Sequence, residues 1–342
     1  MSDGTRDPRQ GPPFSSPLIE LVPSPSPEGG GNVYRPVARR PDRPRYGRAL
    51  LLFALTFLST TTLSPVMYLL SRSDVTTDLV TEFGAVLTPR VIAAVWGNPE
   101  LLRIGLSFSI PALLILFAHE MGHYVACRLY RIPCTPPYFL PVPLNFGTFG
   151  AFIRIKAPIY SKRQLFDVGI AGPIAGFVAL LPFLFYGIAK SRPAPLTGQG
   201  GDLLYLGHCL AIELVSRLFH GPLGKGMTLN LHPAALAAWL GLLATSINLL
   251  PLGQLDGGHI LYAATGRFQR RLALPIWLAL ALLGFYWPGW WLWCVIVLVI
   301  GLYHPPVFDE SIPLDGKRRV LAWLALALLV LSFMPVPISV IG

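Results

Sequence analysis

The sequence predicts an all-α polytopic membrane protein of about six to seven transmembrane helices, with a small β-hairpin or strand near its candidate functional site and a disordered N-terminal tail. Three observations carry that prediction. The 342 residues are 53% hydrophobic and only 13% charged, whereas a soluble domain is nearer a quarter charged. The mean hydropathy is +0.56. Several apolar runs reach the roughly 18 residues that suggest a bilayer span. The net charge of +10 comes from basic residues gathered in loops beside those runs. That is the positive-inside pattern rather than a nucleic-acid footprint, so the expected partner is the lipid bilayer and no nucleic acid. Cys127, Cys134, Cys209 and Cys294 show no C-x-x-C spacing. Neither a disulfide framework nor a thiolate zinc site is indicated.

Residues 1–47 hold ten prolines, several Ser and Gly, and few apolar residues. Such a segment cannot bury a core and reads as a disordered tail. Its end carries Arg35, Arg39, Arg40, Arg43, Arg45 and Arg48 against Asp42, a block expected to stay cytosolic beside anionic head groups. The first span is 49–71, running outward. The loop 72–100 holds Asp74, Asp78, Glu82 and Glu100 against Arg72 and Arg90, which suits the outer face. The second span, 101–130, returns inward, with Pro111 as a kink site. Residues 131–164 hold five basic residues and no acid and are expected to be cytosolic.

Within that loop, residues 147–156 alternate. Phe149, Ala151, Ile153 and Ile155 point one way, and Thr148, Gly150, Phe152, Arg154 and Lys156 the other. Period two with β-branched residues reads as a strand. It serves either as a plain hairpin or as an edge that receives an extended peptide, with Gly147, Gly150 and Ile153 as candidate substrate-binding positions. The third span is 166–189. It opens on Gly169, Gly172 and Gly176, small residues that let helices approach closely. Residues 203–219 are partly apolar but carry His208, Glu213 and Arg217, and are expected to lie near the outer surface without spanning. Spans follow at 233–252, at 272–287 and 289–303 as a thin hairpin rich in Trp, and at 320–341, about seven in all.

The chemistry concentrates at His119-Glu120-Met121-Gly122-His123, inside the second span. Histidines at i and i+4 share one helix face. Two neutral imidazoles there can hold one zinc ion, and the carboxylate between them suits a general base. Polar groups at membrane depth are costly, so they point to function. A catalytic zinc site typically needs three protein ligands. Cys127 fails, because it lies roughly 12 Å along the axis from His119. Asp256 is the best remaining acid. It follows an apolar span, and Gly257-Gly258 allow the backbone to turn and approach closely. His259 is a rival third ligand, while His208, His220, His232 and His304 fall in external or interfacial segments.

The H-E-x-x-H stretch, taken with Asn248-Leu-Leu-Pro251-Leu-Gly-Gln-Leu-Asp256-Gly-Gly, resembles the site-2 protease family of intramembrane zinc metalloproteases. The resemblance covers about residues 49–266. It implies His119, His123 and Asp256 as ligands of one Zn2+ per chain and Glu120 as the base. It also implies Asn248 as a substrate- or oxyanion-holding residue, and transmembrane protein substrates cut within or near their spans. It divides the chain into the tail, 1–47, and a membrane-embedded metalloprotease domain, 48–342, whose catalytic core is about 101–266. Relatives that insert a PDZ module need more room between the motifs than this chain has, so none is expected. The expected location is a bacterial cytoplasmic membrane with a cytosolic N-terminus. Two other classes stay open: a membrane metal transporter, which scatters ligands over several midplane helices and often shows repeat symmetry, and a catalytically silent scaffold, against which the intact Glu120 argues.

Overall fold

The computed structural model describes residues 19–25, 32–38, 46–71, 86–195 and 203–341. Inside the stretch expected as a tail, β1 (Ile19–Pro25) pairs antiparallel with β2 (Asn32–Ala38); its other residues up to 45 lie outside the described ones. The chain then runs through α1 (Tyr46–Leu70), α2 (Pro89–Gly97), α3 (Pro99–Leu129), β3 (Tyr138–Pro141), β4 (Thr148–Phe152) and α4 (Lys162–Lys190). It continues through β5 (Arg192–Pro195), β6 (Leu203–Leu206), α5 (Leu210–His220), β7 (Met227–Asn230), α6 (Pro233–Asn248) and α7 (Asp256–Thr265). It ends in α8 (Gln269–Leu283), α9 (Gly289–Ile300), α10 (Gly316–Ser332) and β8 (Ile338–Ile341).

Each apolar run foreseen as a span contains a helix. Among the described residues, α1, α3 and α4 are each long and apolar enough to cross a bilayer, while α6 and α9 are shorter apolar helices. The protein is an integral membrane protein. α2 was not foreseen, although its start was legible: Thr88 accepts the Val91 N–H and Pro89 opens the helix, the usual chemistry of an N-terminus.

Two boundaries differ from expectation for physical reasons. The last span was expected over 320–341. Instead α10 stops at Ser332, because Pro335 and Pro337 cannot continue a helix. The chain turns back, and β8 pairs with β6 from Leu206↔Ile338 to Leu203↔Ile341. Residues 203–219 are that strand followed by α5. An eleven-residue helix is only about 16 Å long, short of a bilayer core of about 30 Å. α5 buries Ala211, Ile212, Val215 and Ser216 against the bundle and leaves Leu210, Leu214 and Leu218 exposed.

α4 is the hub, packing against α3, α5, α6, α7 and α10. Its start is fixed by Ser161, which accepts the Gln164 N–H while the Gln164 side chain reaches back to the Ser161 N–H, a capping box. α1 joins α3 through polar contacts as well as apolar ones such as Phe53 and Phe57 with Leu113 and Leu116. Thr56, Ser59, Thr60, Thr61, Thr62 and Ser64 are all buried. Several bond to carbonyls of their own helix, which satisfies hydroxyls that lipid cannot. Thr61 also donates to Ser109 across the interface at 2.8 Å. At the opposite end of the bundle from the histidine motif, the β5–β7 and β6–β8 pairs and α5 form a lid over the ends of α4 and α6. Trp239, fully buried, ties α6 to it by donating to the Gly207 carbonyl at 2.8 Å.

Candidate metal centre

α3 carries His119 and His123 one turn apart on its buried face. Their Nε2 atoms stand 3.2 Å apart. α7 begins at Asp256, whose Oδ2 lies 3.3 Å from each of those nitrogens. A tetrahedral ion with ligand bonds near 2.0–2.1 Å spaces its donors by about 3.3 Å. The three edges of this triangle therefore fit such an ion, and two imidazoles with one carboxylate suit zinc. The third candidate ligand lies on an element remote in sequence, as the spacing argument required. His259, the rival, is not in the triangle.

The surroundings orient the candidate ligands. His123 Nδ1 donates to the Val168 carbonyl of α4 at 2.7 Å. That bond leaves the Nε2 lone pair facing Asp256 and His119. The small-residue stripe of α4 is the mould for the rings. A Cβ at Gly172 would lie 2.1 Å from His123 Nε2, one at Gly176 3.0 Å from His119 Cβ, and one at Gly169 2.9 Å from His259 Cβ. On the facing helix, a Cβ at Gly122 would fall 2.3 Å from the Ala171 carbonyl oxygen. Gly257 and Gly258 work in the same way at the start of α7, where Cβ atoms would meet the Leu249 and Gly253 carbonyls at 2.0 and 2.3 Å. Only glycine lets α7 sit this close to the turn after α6 and bring Asp256 to the histidines.

Glu120 is buried beside the triangle, and the backbone of Ile153 lies near its carboxylate. Asn248, the last residue of α6, places Nδ2 3.3 Å from His119 Nε2. Of the expected substrate-binding positions, Ile153 and Asn248 thus border the centre. Gly147 is occupied otherwise. At φ +80, with no room for a Cβ against Ser59, it accepts the Ser59 hydroxyl at 2.6 Å and hangs the hairpin on α1. Gly150 stands in open space at φ +101.

The strand is shorter than expected, Thr148–Phe152 rather than 147–156, and its faces do not alternate cleanly. Phe149 is 77% exposed while Ala151 packs with Phe139, because the register shifts between Phe139 and Pro141 and Gly150 turns the backbone. Among the described residues, β4 pairs only with β3, so its second edge faces no strand.

One buried cluster escaped the sequence reading. His304, expected at an interface, is 3% exposed. Its Nε2 lies 2.8 Å from His259 Nδ1, and its ring stacks on Tyr262 at 4.4 Å. Tyr262 donates to Glu310 at 2.5 Å. The Gln269 side chain accepts the His304 N–H at 3.4 Å. No periodicity announces a loop folding back over a helix. The only local signal was a histidine followed by Pro305-Pro306 after the apolar run of α9.

Fold and site together define a polytopic membrane protein with an H-E-x-x-H motif and a distant aspartate grouped as a candidate metal site. The model of Peptidase family M50 matches residues 107–283, more than half of the chain. The chain belongs to that family. It is 30% identical over 264 residues to the probable zinc metalloprotease EGY2, chloroplastic, of Arabidopsis thaliana, covering 73% of this chain and 45% of that protein. It is 28% identical over 331 residues to the probable zinc metalloprotease EGY1, chloroplastic, of the same plant, covering 91% and 58%. With the EGY1 protein of Oryza sativa subsp. japonica it shares 31% over 247 residues, covering 65% and 38%. The chain spans about half the length of these relatives.

Proposed function

We propose that this protein is an intramembrane zinc metalloendopeptidase that hydrolyses peptide bonds within or near transmembrane segments of membrane proteins. The observation that carries the reading is the donor triangle of His119, His123 and Asp256, with edges of 3.2 and 3.3 Å, beside the buried Glu120. These three side chains would hold one Zn2+ per chain, which supplies Lewis acidity and lowers the pKa of water. Glu120 takes the proton of the attacking water and returns it to the leaving amine. The Ile153 backbone lies near that carboxylate, and Asn248 holds the substrate carbonyl or the oxyanion. A helical substrate hides its carbonyls in its own hydrogen bonds, so it must unwind locally. The open edge of β4, around Gly150, supports pairing with the extended form.

The proposed division is a tail over 1–47 and a metalloprotease domain over 48–342 with its core at 101–266. Its partners are transmembrane proteins and lipid, with no nucleic acid and no PDZ module. The N-terminus lies on the cytosolic face, because Arg48, Lys156, Arg163, Arg267, Arg270 and Arg271 fall on one side of this topology. The relatives bear chloroplastic names and lend no support to a bacterial membrane in particular. The transporter reading is disfavoured because the candidate ligands meet at one point and one buried acid stands beside them. The test is co-expression with a panel of single-span proteins, wild type against Glu120→Gln. Cleavage by wild type alone supports the proposal. Equal product from both overturns it.

A further inference from the structure

Outside the matched region, the start of α10 reaches back to the metal helix. Arg318 Nε and Nη2 meet Asp167 Oδ1 and Oδ2 at 2.8 and 2.5 Å, the two-pronged geometry that holds a carboxylate in a fixed orientation. The same carboxylate accepts the hydroxyl of Tyr130, the residue that closes α3 seven positions after His123 and whose N–H ends the helix on the Ala126 carbonyl. Arg318 Nη2 also lies 3.4 Å from the Tyr130 oxygen. The guanidinium is held in turn by Asp315, which caps α10 through the Arg318 N–H at 3.0 Å and contacts Nη1 with its other oxygen. One guanidinium thus joins the end of α3, the start of α4 and the start of α10.

The position of Asp167 gives this joint its meaning. The next residue is Val168, whose carbonyl takes the Nδ1 proton of His123 at 2.7 Å. Four residues further along from Val168 is Gly172, on which the same imidazole rests. Sliding or rotating α4 against α3 therefore moves both supports of His123 at once. The apolar contacts near this end, Val168 with Ala126 and Cys127, are not directional and resist such motion weakly. The bidentate pair is directional. Arg318 and Asp167 are about one fifth to one quarter exposed, at 21% and 24%, so net stability is not the main contribution of the pair.

We propose that Arg318 is a positioning residue for the metal centre: through Asp167 it fixes the Val168 carbonyl that orients His123. The inference rests on the metal-site reading above. Partners behind a metal-ligating histidine typically change affinity by about 10–100-fold. The experiment is Co2+ titration of purified full-length protein in detergent, followed by visible absorption, with thermal melting in parallel. Wild type should take up one Co2+ with a low-coordinate ligand-field band; failure there overturns the metal site itself, not the clamp. With wild type positive, Arg318→Ala should bind Co2+ about 10–100-fold more weakly, with an altered band in the folded fraction. Arg318→Lys, which keeps the charge but not the fork, should also shift the band and covers the case in which Arg318→Ala does not fold. The exchange Arg318→Asp with Asp167→Arg should recover affinity relative to either single change. Lower melting temperatures with wild-type Co2+ affinity and spectrum in the folded variants would reduce Arg318 to a structural tie and overturn the proposal.

Discussion

Gly172 and His123 occupy one space: a Cβ on Gly172 would lie 2.1 Å from the His123 Nε2 that faces Asp256. Gly172→Ala must therefore displace the imidazole or part α4 from α3. Overpacking of this kind costs about 1–3 kcal/mol. The expected outcome is a protein that still inserts but holds far less zinc by elemental analysis. Gly47→Ala, where a Cβ meets nothing within 4 Å, should be silent. Full metal content in Gly172→Ala would show that the ring does not need this position.

Metal stoichiometry tests the triangle. Wild type should hold one zinc per chain, while His119→Ala and Asp256→Ala should each lose it. Because Asp256 sits on another helix, its loss separates a three-residue centre from a chance histidine pair. Undiminished affinity in His119→Ala sinks the assignment.

Glu120→Gln should keep zinc and lose cleavage by roughly 10²–10⁴-fold, since the amide is nearly isosteric but accepts no proton. Turnover close to wild type would point to another base.

The β4 edge is tested at Gly150. Alanine at φ +101 is strained by about 1–3 kcal/mol, and the site has open space, so the effect falls on the local backbone alone. Gly150→Ala should lower cleavage of a transmembrane substrate while zinc content stays constant. Ile153→Pro deletes the backbone N–H nearest Glu120 and should lower kcat. If both variants cleave normally, the hairpin is scaffolding.

Topology offers a further check. The histidines lie near the C-terminal end of α3, and Asp256 lies beyond the C-terminal end of α6. Both helices must therefore run in the same direction across the membrane, which requires an odd number of crossings between them. α4 supplies one, and α5 is too short to supply another. In a background without native cysteines, Lys225→Cys should react with an impermeant reagent from outside only, and Lys317→Cys from inside only. Labelling of Lys225→Cys from the cytosolic face contradicts the shared depth of the ligands.

Much of the centre was legible because its logic is local or compositional. The i, i+4 histidines, the buried acid between them and the glycines at 169, 172 and 176 each have one physical reading in an apolar helix. Asp256 stood out as the best remaining acid before paired glycines, with His259 as its rival, and the family resemblance implied it as the third ligand. The illegible parts depend on chain reversal. Nothing in residues 320–341 distinguishes a long span from a shorter helix plus strand except Pro335 and Pro337. The return of His304 onto His259 comes from a loop whose path no periodicity encodes. The hairpin fell between, since alternation announced a strand but not the positive φ at Gly150 that exposes Phe149.

The β6–β8 pair sets an order of events. Leu203–Leu206 leaves the insertion machinery long before Ile338–Ile341 is made. Through the insertion of α6, α8, α9 and α10, the backbone groups of β6 therefore wait without their final partners. The lid over α4 and α6 can close only when the last strand arrives. The helices that carry His119, His123 and Asp256 all precede β8 in the sequence, so the candidate centre and its far-side strand pair are built from separate stretches of chain. The lid thus depends on a strand that no helix of the candidate centre supplies.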